Sequence, residues 1–150
     1  MTTDWIVYRR KYKYRLFDDY ITQLPFKVSI DIITPFVTLS RSGALIIKEG
    51  YSWDGPSGPT FDTDNFMRGS LVHDALYELM RANLLNHEIY RIKIDTVLFQ
   101  MCLEDGMNWL RAWWVYRGVR WGGHAVADPQ YVKPLLRSPN KKWQLSNQYR

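Results

Sequence analysis

The spacing of apolar residues changes character near position 63. Before it, short apolar runs alternate with polar residues. "FVTLSRSGALIIKEGYSW" holds two β-rich runs on either side of Ser42-Gly43, a pair suited to a hairpin turn. Residues 5 to 50 read as strands, punctuated by Pro25 and Pro35, and residues 51 to 63 as a Gly/Pro-rich loop. Beyond the loop the period lengthens to that of a helix. Helical patterns run from about Asn65 to Ala82, from about His87 to Asp105 and from about Asn108 to Arg120, where "WGG" (121 to 123) is expected to stop the third. Asp62, Thr63 or Asp64 is placed to cap the first helix. From Asp128 onward, Pro129, Pro134 and Pro139 and a polar end predict an extended tail. The expected class is α+β: a small antiparallel sheet or hairpin in the N-terminal third, a helical pair, a third helix and an extended C-terminal tail. Residues 1–127 form the expected single domain and 128–150 the tail.

Helical spacing gives the ionisable groups their positions. Phe66, Ser70, His73, Tyr77 and Met80 share one stripe of the first helix, and Leu71, Ala75, Leu76 and Leu79 lie beside it, so most of the circumference is expected to be buried. The second helix carries Ile92, Asp95, Leu98, Phe99 and Cys102 on one side. An unpaired carboxylate in such a stripe is costly, so Asp95 needs a donor. A short connection makes the two helices antiparallel neighbours, and His73, 22 positions earlier, is the candidate. A His held by a buried Asp suits general-base catalysis, because the carboxylate fixes the tautomer and stabilises the imidazolium formed when water is deprotonated. Asp74 points about 100° away around the helix, where it could face the loop and bind a hard cation together with loop carbonyls. The plain alternative is a satisfied core hydrogen bond between His73 and Asp95, with Asp74 a surface carboxylate.

Composition narrows the classes. The chain has 150 residues, 46% apolar and 15% aromatic, enough for one globular domain that buries roughly 70% of its unfolded surface. No run approaches the ~20 apolar residues of a bilayer span, and the charged start "MTTDWIVYRRKYKYR" has no signal-peptide core, so neither segment is expected. A single cysteine, Cys102, excludes an internal disulfide framework and a multi-Cys zinc site. No cationic activator near it is visible, which argues against a thiol nucleophile. His73 is the first His of the chain, and His87 and His124 lack metal-ligand spacing. There is no phosphate-binding Gly-Lys-Ser/Thr loop. The net charge of +5 suggests an anionic partner but equally describes a solvated, slightly basic face. The third helix, "NWLRAWWVYRGVRW", fits either a membrane-contacting surface or Trp packing against the sheet.

The segment "HDALY" resembles the His-Asp-x-x-Tyr helix motif of the phospholipases A2, most closely the disulfide-free form in parvoviral capsid proteins. There a Gly-Pro-Gly loop precedes the His-Asp helix and an Asp on the next helix pairs with the His; the likeness covers about residues 51–99. Separately, the block "GYSWDGPSGPT…RGSLVHDALYELMR" resembles an uncharacterised family of small phage and prophage proteins. That second resemblance implies a viral origin, with the virion or the host cytoplasm as location.

The phospholipase resemblance implies His73 as the base, Asp95 as its orienting partner and Tyr77 as a hydrogen-bonding member of the network. It also implies calcium, held by Asp74 with carbonyls around Gly55 and Gly58, and an anionic phospholipid surface as partner; nucleic acid is not expected. The loop, Gly55-Pro56-Ser57-Gly58, is one residue wider than the family's Gly-x-Gly. Asp54 adds a carboxylate that is either a further cation ligand or a turn-forming residue, while Asp62 and Asp64 are expected to cap rather than ligate. The expected function is a phage-encoded, calcium-dependent, phospholipase A2-like lipid esterase. The alternative is a non-catalytic virion or tail component, or a host-directed binding protein, that keeps the motif as scaffold and has other virion proteins as partners.

Overall fold

A computed structural model of the protein describes residues 14–55 and 63–130, the side chains of 124–126 excepted. Among the described residues six short strands come first: β1 Tyr14–Arg15, β2 Tyr20–Gln23, β3 Ile32–Ile33, β4 Val37–Leu39, β5 Ala44–Ile47 and β6 Ser52–Trp53, and three helices follow: α1 Asp64–Arg81, α2 His87–Glu104 and α3 Trp109–Ala127. The α+β class therefore holds. Expected strand residues 5–13, loop residues 56–62 and tail residues 131–150 lie outside the described residues.

All strand pairing is antiparallel. One sheet has the order β2-β5-β4-β3, and β1 pairs with β6 apart from it. The β4–β5 hairpin turns at Ser40–Gly43, as the sequence predicts, with the Gly43 N–H donating to the Ser40 carbonyl at 2.9 Å. Gly43 has φ +91°, a left-handed value that glycine adopts without strain. Period-two alternation decides which face is buried. Val37 and Leu39 on β4, and Leu45 and Ile47 on β5, point inward, while Thr38, Ala44 and Ile46 are only half-buried. The inward residues join Leu71, Ala75, Leu76, Leu79 and Met80 of α1 in one apolar cluster, so the sheet covers one side of the first helix. Strand β6, within the segment expected as loop, is too short to leave a periodic signal, yet it ties the loop's start to α1. Trp53 Nε1 donates to Ser70 Oγ at 3.2 Å, and the Tyr51 hydroxyl donates to Glu78 at 3.0 Å.

Local chemistry sets the helix boundaries. Thr63 occupies the cap position of α1, but its hydroxyl donates to the Asn65 side chain at 2.6 Å instead of capping the backbone, and Asp64 is the first helical residue. At the other end Asn83 takes φ +57°, and the Asn83 and Leu84 N–H groups donate to the Met80 and Leu79 carbonyls. This is the paired closure of a Schellman motif, with Asn in the position more often held by Gly. Asn86 then caps α2, its side chain accepting from the Glu88 and Ile89 N–H groups. The same closure recurs after α2, where the Gly106 and Met107 N–H groups reach the Leu103 and Cys102 carbonyls. Asn108 accepts from the Leu110 N–H as α3 begins. These tight turns make α1–α2 and α2–α3 neighbouring pairs.

Three expectations change. "WGG" does not stop α3, which continues to Ala127. Trp109, Trp113, Trp114 and Trp121 do not pack against the sheet; they are exposed, and Trp53 is the buried tryptophan among the described residues. Ile92, expected in the buried stripe of α2, is exposed, whereas Asp95, Leu98 and Cys102 of that stripe are buried.

Candidate functional site

His73 and Tyr77 stand one turn apart on α1, with ring centroids 4.1 Å apart and planes tilted by 30°. Opposite them on α2, Asp95 is completely buried. Its Oδ1 faces His73 Nε2 at 2.9 Å and accepts from the Tyr77 hydroxyl at 2.7 Å. Its Oδ2 accepts from Arg120 Nη1 of α3 at 2.9 Å. Three helices thus converge on one carboxylate. Ser70, in the same stripe as His73, bonds the Met67 carbonyl and Trp53 and takes no part.

The environment fixes the charge states. Burial disfavours an ionised Asp95, but hydrogen bonds and charge from His73, with the Tyr77 and Arg120 hydrogen bonds, outweigh it and lower its pKa. An ionised Asp95 only accepts, so His73 Nε2 is a donor, and in neutral imidazole the lone pair then sits on Nδ1. Among the described residues, Asp74 Oδ1 lies 4.0 Å from Nδ1, beyond hydrogen-bonding distance. Burial also works against the imidazolium, yet Asp74 and Asp95 on either side more than offset it, and the His73 pKa is raised. Burial first, and the Asp95 charge second, push the Tyr77 hydroxyl far above its ordinary range, so it stays a donor. The His73 side chain is 11% exposed.

Two members of the network come from α3 and are absent from the sequence-derived site: Arg120 and Gly123. A carboxylate has two oxygens, and one imidazole N–H satisfies only part of one; that count was the available signal that a cation was missing. Gly123 lies where α3 crosses closest to Tyr77, and a Cβ there would stand 2.5 Å from the Tyr77 hydroxyl. Arg91 of α2 donates to the Arg120 carbonyl at 3.1 Å and holds the arginine's backbone in place.

The expected cation site is less assembled. Asp74 lies beside His73 with its side chain 35% exposed. Asp54 and Gly55 end the described part of the loop, Gly55 with φ +74°. Gly58 lies outside the described residues, as does Asp62. Among the described residues no three His, Cys, Asp or Glu side chains are arranged to hold a metal ion. Calcium takes six to eight oxygens, and of the expected ligands Asp74, Asp54 and Gly55 lie among the described residues.

Cys102 is fully buried in a second apolar cluster with Phe66, Leu98, Met107, Ala112 and Val115. Burial, helped by Asp105, pushes its thiol pKa up to about 12, which removes it as a nucleophile at neutral pH. Compared with known proteins, the chain matches no family model, no curated protein and no solved structure.

Proposed function

We propose that the protein is a phage-encoded, phospholipase A2-like lipid esterase in which His73 is the general base. The observation that carries this is the division of labour on the imidazole. Nε2 is committed to a buried, ionised Asp95, while Nδ1 faces Asp74 Oδ1 at 4.0 Å, too long for a direct hydrogen bond. In the proposed reaction Nδ1 takes a proton from water as the oxygen attacks the ester carbonyl carbon. The imidazolium, held between Asp95 and Asp74, then returns that proton to the departing alkoxide as the carbon–oxygen bond breaks. Products are a fatty acid and the freed alcohol. Tyr77 and Arg120 touch Asp95 rather than the reacting atoms, so they are positioning residues.

Calcium between Asp74 and the 53-to-58 loop, with Asp54 as a further ligand, belongs to the same proposal. When bound it would supply positive charge to the developing oxyanion. Support for it is the phospholipase likeness and the place of Asp74 beside His73. Calorimetric titration with calcium tests it: Asp74→Asn should weaken binding severely, and equal affinity in the variant places any ion elsewhere.

One observation favours the alternative, a virion component or host-directed binder that uses the motif as scaffold. Asp95 has donors on both oxygens, and a fully satisfied polar cluster also serves to fix helix packing. The decisive measurement is fatty-acid release from anionic phospholipid vesicles with calcium present. His73→Gln should keep the fold and lower the rate by about 100-fold or more. No release by wild-type protein on several headgroups replaces the esterase with the scaffold.

A further inference from the structure

Helix α3 turns most of its large apolar side chains outward. Its small inward positions, Ala112, Val115, Val119 and Gly123, fall within an arc of about 80°, flanked by Tyr116 and Arg120. Its outward positions, Leu110, Trp113, Trp114, Arg117 and Trp121, are large and fall within about 100° on the opposite side. Trp114 is 65% exposed and Trp121 91%. Trp109, 60% exposed, stacks on Trp113 at 6.5 Å between centroids, and the Arg117 guanidinium lies 5.7 Å from the Trp113 centroid. Packing does not account for four exposed indoles on a helix that buries Ala112 and Val115 and turns Tyr116 and Arg120 toward its neighbours. A contiguous exposed apolar patch of this kind marks an interaction surface.

Charge selects the occupant. The helix contains Arg111, Arg117 and Arg120 and no Asp or Glu, in a chain of net charge +5. A second copy of this face would bring another Arg117 and no Asp or Glu from α3 to pair it, adding like charge without a complement. An anionic bilayer offers both complements at once. Indole rings favour the boundary between headgroups and acyl chains, and arginine favours the phosphates above it. Among the described residues no helix is long and apolar enough to cross a membrane, so α3 would lie along the surface.

We propose that this outer face of α3 docks the protein on anionic lipid bilayers, with Trp109, Trp113, Trp114 and Trp121 at the interface and Arg117 on headgroup phosphates. Arg120 is excluded from the contact because Asp95 already takes its guanidinium. The docking rests on the exposure and charge of α3, and it stands whether or not His73 is a base.

Co-sedimentation with vesicles of ether-linked phosphatidylglycerol tests it, because ether lipids offer no ester to hydrolyse. Wild-type protein is expected to pellet with these vesicles, to shift its tryptophan emission to the blue, and to be released by high salt and by ether-linked phosphatidylcholine. The Trp114→Ser/Trp121→Ser variant should bind about tenfold more weakly or worse. Arg117→Glu, which keeps every ring and changes the charge by two, should lose about 30-fold. Both variants alter exposed side chains and should retain the wild-type melting transition. No retention on phosphatidylglycerol, or equal retention on phosphatidylcholine, overturns the proposal. So does a dimer in sedimentation velocity that the double variant dissolves, since the face would then belong to a second copy.

Discussion

Helices α1 and α2 are joined by two carboxylate networks of similar chemistry in opposite surroundings. Near the N-terminal end of α1, Arg68 forks onto Asp105 through Nε at 3.0 Å to each oxygen, and its Nη2 reaches Glu104 at 2.8 Å. Glu104 is 62% exposed, and water competes for every bond in that cluster. Farther along, His73, Tyr77 and Arg120 surround an Asp95 that sees no water. The exposed network can lose a member and be repaired by solvent. The buried one cannot, because Asp95, if left ionised with its donors removed, has no water to take their place. The two clusters therefore differ in how little of each can be removed.

Removing the central carboxylate should produce the largest effect. Asp95→Ala strands three donors, and breaking a buried pair of this kind costs about 3–5 kcal/mol. Melting measurements should register a fall of roughly 10 °C for a chain of this size. A fall of only a degree or two would show the buried cluster behaving like the exposed one.

The next effect comes from crowding the network. An added methyl at Gly123 meets the Tyr77 hydroxyl, and overpacking costs about 1–3 kcal/mol, against the ~1 kcal/mol that Ala usually gains over Gly in a helix. Gly122, its neighbour, has open space around the same hypothetical atom. Gly123→Ala should lower the denaturation midpoint while Gly122→Ala raises it. The same sign at both positions would mean that Tyr77 moves aside freely.

A smaller, pH-dependent effect separates the clusters further. The raised His73 pKa means that its charged interactions stabilise fully below the ordinary value near 6.5 and are lost as pH rises through the higher folded value. The depressed Asp95 pKa works at the other end: its contribution is present above about 3.8 and is lost as pH falls through the lower folded value. Melting temperature should therefore decline as pH rises beyond about 6.5, and His73→Gln should flatten that decline. An esterase working through Nδ1 should gain rate over the same range, since only neutral imidazole accepts a proton. An unchanged decline in the Gln variant would place its origin elsewhere.

The smallest effect should be at Arg68. Its pKa is raised mainly by the Asp105 and Glu104 hydrogen bonds, so it carries its charge throughout. Arg68→Ala should cost about 0–1 kcal/mol and leave the pH profile of stability unaltered. A loss matching that of Asp95→Ala would erase the distinction between the clusters.

The pairing of His73 with Asp95 was legible in the sequence because both lie in apolar stripes of helices joined by a tight turn, which nearly fixes their register. The Ser42-Gly43 hairpin was legible for a similar reason: turn chemistry is local. Arg120 and Gly123 were not, since periodicity gives a helix its faces but not the angle at which it meets a third element. "WGG" read as a stop because glycine weakens helices, yet tertiary contact with Tyr77 gives Gly123 a use inside one. For the α3 tryptophans composition left both burial and exposure open. Large aromatics are usually drawn inward, and α3 turns them out.

Cys102 gives the molecule a clock. The sole thiol of the chain is sealed between the ends of α1, α2 and α3, with its pKa near 12, so a thiol-reactive dye in neutral solution meets almost no thiolate and no path to it. Labelling must wait for those helix ends to part. Its rate therefore counts their openings one molecule at a time, with no probe to engineer and no second cysteine to confuse the signal.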